Sequence, residues 1–107
     1  MGMRRLQVLD LHRTAMGADG TAALAAVLPA LAGSLMHLNL TDCSIDAKTA
    51  ANALAPALAP AIALVRLCLY CNALGSRAAA WLVPVVSALP HLRAVGLYSC
   101  KLPSARR

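Results

Sequence analysis

The chain has 107 residues, enough for one small domain, and 60% are apolar although Phe is absent and aromatics are only 3%. That balance excludes a disordered chain and implies a core of Leu, Ala and other small side chains. The net charge is +6 with no Glu, but Arg4, Arg5, Arg106 and Arg107 lie at the ends and the other cations are spread singly, unlike the clustered basic face of a nucleic-acid binder.

The predicted elements repeat along the chain. Leu6, Leu9 and Leu11 form a first short strand, followed by Thr14 and Met16. Strand alternation sends Leu9 and Leu11 to one face. Asp19 is then predicted to cap a helix with Leu24, Val27, Leu28 and Leu31 on one side and Pro29 near its end. Leu35, Leu38 and Leu40 form the second strand, followed by Cys43 and Ile45. Asp46 caps a helix carrying Ala50, Leu54 and Leu58, but Pro56 falls in its later turns. An interior proline costs about 3 kcal/mol, so this helix should be kinked or shortened, and the most ragged. The third unit runs from Leu64, Leu67 and Leu69 through Asn72 and Leu74 to a helix capped by Ser76, with Ala79, Leu82, Val86 and Leu89 inward and Pro84 interrupting. Leu92, Val95 and Leu97 begin a fourth, followed by Cys100 and Leu102.

The cores are separated by 29, 29 and 28 residues. The pattern L-x-x-L-x-L-x-x-N/C-x-L over residues 6 to 102 resembles the leucine-rich repeat family, and its period resembles the ribonuclease-inhibitor-type subfamily. The resemblance implies an α/β fold: a right-handed β-α solenoid, a short horseshoe arc with parallel strands on the concave side and helices on the convex side. Residues 1–107 then form a single array with repeats at about 6–34, 35–63 and 64–91 and a partial repeat at 92–107. Thr14, Cys43, Asn72 and Cys100 occupy the structural turn position. There the chain turns inward, and a buried Asn bonds backbone groups as donor and acceptor, while Cys is a small substitute with weak hydrogen bonding. Thr14 departs from the pattern, so a looser first turn is expected.

Stacking about 4.8 Å apart aligns the outward residues into ladders. The predicted partner-binding face comprises Asp10, His12, Arg13, His37, Asn39, Thr41, Asp42, Arg66, Tyr70 and Tyr98. Tyr70 and Tyr98 share one ladder, and Tyr suits interfaces because a large apolar body carries a polar tip. The resemblance implies that this concave face binds another protein, without catalysis. Two rivals stand beside that reading: a regulatory repeat segment of a larger GTPase-activating or ubiquitin-ligase assembly, and a membrane-associated hydrophobic chain.

Other chemistry finds little foothold. Cys68 and Cys71 form a lone C-x-x-C, and an extended spacing of roughly 10 Å is too long for a disulfide. His12, His37 and His91 do not cluster, and no nucleophile elbow or phosphate loop is present, so no catalytic residue, metal or cofactor is predicted. The uncharged windows Gly20–Met36 and Thr49–Val65 are each about 17 residues, at the lower limit for a membrane span, but recur with the repeat period. No signal peptide fits the first residues, so a reducing, cytoplasmic setting is expected. The terminal units carry no polar cap, which points to marginal stability, a fragment of a longer array, or self-association through open ends.

Overall fold

A computed structural model describes residues 6–75 and 77–97. The order is β1 (Val8–Asp10), α1 (Gly17–Leu31), β2 (His37–Asn39), α2 (Ala47–Thr49), a π-helical turn (Ala50–Leu54), α3 (Ala55–Leu58), β3 (Arg66–Cys68), α4 (Ala78–Ala88) and β4 (Ala94–Gly96). The strands form one parallel sheet in the order β1-β2-β3-β4. Parallel neighbours need a long crossover, and the helical segments between the strands supply it.

Register follows the leucine spacing. Leu9 pairs with Leu38, Leu38 with Leu67, and Leu67 with Val95. A one-residue slip would turn each strand's apolar side to water. Leu38, Leu40, Leu67 and Leu69 are buried in one cluster with Leu28 and Leu31 of α1, Leu54 and Leu58 of the second helical segment, and Leu82 and Val85 of α4. The core lies between the helices and one face of the sheet. The opposite face is uncovered: Val8, Arg66 and Tyr70 are exposed, and His37, Asn39 and Cys68 are half-buried. Parallel sheets are usually covered on both faces. Here the strands have three residues each, and Asp10, His37, Asn39 and Arg66 put polar groups on the open side.

Helices α1 and α4 depart from the sequence expectations. Helix α1 begins at Gly17, so Asp19 lies inside the first turn rather than at the cap. The Met16 carbonyl already accepts from the Gly20 amide at 2.9 Å, which starts the helix earlier, and Asp19 instead complements the helix dipole. Val27 is exposed, leaving Leu24, Leu28 and Leu31 as the buried stripe. In α4 the inward positions are Ala78, Leu82, Val85 and Leu89 rather than Ala79, Leu82, Val86 and Leu89. The apolar pairs Ala78–Ala79 and Val85–Val86 make the two faces equivalent in sequence, and packing chooses between them. Ser76 lies outside the described residues, and α4 starts from Arg77 with no side-chain cap bond.

The second helical segment behaves as its proline requires. Asp46 caps it, its side chain accepting from the Thr49 amide at 2.9 Å. The π turn then lets the Ala55 amide reach the Ala50 carbonyl, one residue farther than in an α-helix, and Pro56 begins α3 where its missing amide does least harm. Pro84 does not interrupt α4, contrary to the sequence expectation: like Pro29 in α1, it lies within the helix on an exposed face. No helix among the described residues is long and apolar enough to cross a membrane.

Candidate partner-binding face

The open sheet face is organised by register. One ladder runs Val8, His37, Arg66, Ala94; the next runs Asp10, Asn39, Cys68, Gly96. Between them Val8, Asp10, His37, Asn39, Arg66 and Cys68 line a shallow groove of about 260 Å³ with Leu9 and Leu38 at its floor. A carboxylate lies at the β1 end and a guanidinium at the β3 end.

Each strand leaves this face through a local turn. The Asp10 carboxylate accepts from the His12 amide at 3.1 Å and lies 2.7 Å from His12 Nδ1. Those contacts hold the Asp10 carboxyl below the ordinary carboxylate range, the side-chain bond from His12 contributing most. One repeat later Asn39 Oδ1 accepts from the Thr41 amide at 3.0 Å. Asp10 and Asn39 therefore shape the strand exit as well as facing outward.

Arg13 and Asp42 are turn residues rather than strand residues, contrary to their predicted place on the strand face. Arg13, Asp42 and Cys71 occupy equivalent left-handed turn positions with φ of 63°, 54° and 60°. The turn directs Asp42 into a different recess of about 340 Å³, with Ser44, Asp46, Cys71 and Asn72 among its walls, away from the strand groove. The chain is thus not extended from Cys68 to Cys71, and the thiols of Cys43, Cys68 and Cys71 are all free.

Tyr70 is 38% exposed, and Tyr98 lies outside the described residues. The Tyr70 ring leans over the neighbouring strand onto Gly96: a Cβ there would come within 2.5 Å of Tyr70 Cζ. Gly96 is what leaves room for the ring. Sequence reasoning missed this pairing; its only sequence signal is a glycine in the ladder beside the tyrosine ladder.

Behind the face, the turn residues hold adjacent units together. Asn72 is 2% exposed. Its Oδ1 accepts from the Cys43 and Ile45 amides at 3.0 and 3.2 Å, and its Nδ2 donates to the carbonyls of Leu40 at 2.7 Å and of Leu69 and Tyr70 at 3.2 Å. Cys43 supplies only the donor half of this pattern, its thiol donating to the Leu11 carbonyl at 3.0 Å. Burial raises the Cys43 thiol pKa and keeps that proton in place. The first turn lacks an Asn acceptor, and there the Thr14 amide bonds the Leu11 carbonyl while the Met16 amide reaches the carbonyls of Thr14 and Cys43. Thr14 itself is exposed, and Cys100 lies outside the described residues. Among the described residues no three His, Cys, Asp or Glu side chains converge as a metal site would require.

No protein-family model matches the chain, and no curated protein or solved structure matches it.

Proposed function

We propose that the chain is a short leucine-rich-repeat solenoid of ribonuclease-inhibitor type, and that its open strand face is the concave surface that binds another protein. The observation that carries the reading is the uncovered face of a parallel sheet on which Asp10, His37, Asn39 and Arg66 are aligned by strand register, with Tyr70 exposed just past the end of β3. The leucines behind them need only be apolar, so the outward residues are free to differ from repeat to repeat. Asp10 and Arg66 offer opposite charges across the groove, and Tyr70 offers an aromatic surface that Gly96 helps to position. The activity is recognition, without catalysis or a cofactor, in the reducing cytoplasm.

The test is affinity capture from the source cell with the native chain and with an Asp10→Ala, Arg66→Ala, Tyr70→Ala triple variant. All three residues lie outside the core cluster, so the variant should keep its far-UV circular dichroism. Loss of the captured partner supports the reading. An unchanged captured set from a folded variant removes the strand face from consideration.

A further inference from the structure

The helix side carries a second surface, and it is independent of the strand-face reading. A cleft of about 200 Å³ opens between the second helical segment and α4, lined by Ala47, Lys48, Ala51, Leu74, Arg77 and Trp81. Its floor is apolar, with Leu74 fully buried. Gly75 brings the loop close: a Cβ there would lie 3.3 Å from Ala47 Cβ, and its φ of +81° suits glycine. Lys48 and Arg77 are exposed at the rim. Trp81 is half-buried, and its indole Nε1 is covered and has no hydrogen-bond partner.

We propose that this cleft docks an acidic, hydrophobic peptide segment of another protein, with one large apolar side chain against Trp81 and flanking carboxylates paired with Lys48 and Arg77. Charge complementarity selects the occupant. The lining holds two cations and no anion, and the carboxylate of nearby Asp46 is engaged by the Thr49 amide. The volume is below the range of about 300–1,000 Å³ typical of small-molecule pockets and suits a single side chain. Two cations also fall short of the clusters of about 4–8 that hold a protein on an anionic membrane. A peptide brings carbonyl and carboxylate acceptors, one of which can satisfy the indole N–H once the ring turns toward the rim. Binding should therefore disturb Trp81 directly.

Trp81 is the chain's one tryptophan, so its emission reports on the cleft. The probe is a short synthetic peptide with a Leu pair flanked by Asp and Glu, titrated into the full chain beside the same peptide bearing Asn and Gln. The acidic peptide should shift Trp81 emission saturably. Its affinity should fall by about tenfold or more in the Lys48→Glu, Arg77→Glu double variant, and fall with added salt. Ala51→Leu, which fills the cleft, should also abolish the response while circular dichroism stays unchanged. Equal binding of the neutral peptide overturns the proposal, as does unchanged affinity in the folded double variant. So does the lack of any emission change up to about 1 mM peptide. A response confined to phosphatidylserine vesicles would assign the cleft to a lipid surface and overturn it as well.

Discussion

Replacing Asn72 with Ala should cost more than any substitution on the open face. Its Oδ1 is the partner of the buried Cys43 and Ile45 amides, and its Nδ2 serves the Leu40 carbonyl of the preceding turn. Each buried group left without a partner costs about 1–3 kcal/mol, so two amides and part of a carbonyl amount to about 3–4 kcal/mol. In a domain this small that lowers Tm by about 15 °C or more. Urea unfolding followed by far-UV circular dichroism should show a lower midpoint with an unchanged slope. Asn72→Asp should be at least as harmful, because it keeps the acceptors but turns a carboxylate toward three carbonyl oxygens. Asn72→Cys should fall between the native chain and Asn72→Ala, since a thiol donates to the equivalent carbonyl at Cys43. A loss below about 1 kcal/mol for Asn72→Ala would refute the reasoning, because that is the scale of one ordinary hydrogen bond.

Three smaller effects are expected. The Gly96 α-protons should resonate upfield under the Tyr70 ring and return to ordinary positions in Tyr70→Ala; a native spectrum without that shift refutes the packing. Cys71→Gly should raise the unfolding free energy measured in urea by about 0.5–1 kcal/mol, since an exposed non-glycine residue at φ 60° gives way to the residue that prefers it, and a drop would mean that Cys71 contributes contacts of its own. The Thr49 amide holds the Asp46 carboxyl below its ordinary value of 3.8, so its folded value lies below its unfolded one. The cap's stabilisation is then present above the unfolded value and is lost as pH falls through the folded value. Urea midpoints of the native chain and Asp46→Ala should differ at neutral pH and converge in acid, and a constant difference would refute the link.

The features legible in the sequence were those set by local periodicity. Leucines 28 or 29 positions apart announced the strands and their register, because only one register keeps Leu38 and Leu67 inward. Pro56 announced the break in the second helical segment, because a missing amide is a local fact. Asp46 is readable as a cap from its place before an apolar stripe, whereas Asp19 misleads because Met16 and Gly20 start α1 three residues sooner than the charge suggests. Arg13 and Asp42 were assigned to the strand face by extrapolating alternation past the strand ends, and the left-handed turn breaks that alternation.

By itself, then, the sequence determined which strand residues face inward and which strand neighbours which, since burial of apolar side chains depends on spacing along the chain, whereas packing chose the inward face of α4. Tertiary structure alone decided the contacts between units: the Tyr70 ring over Gly96, the amides of one turn on Asn72 of the next, and the cleft that gathers Lys48, Arg77 and Trp81. These join residues up to 33 positions apart through geometry that exists only after the units have packed. No local pattern encodes which side chain leans toward which neighbour, because steric room and unpaired backbone groups are properties of the assembled surface.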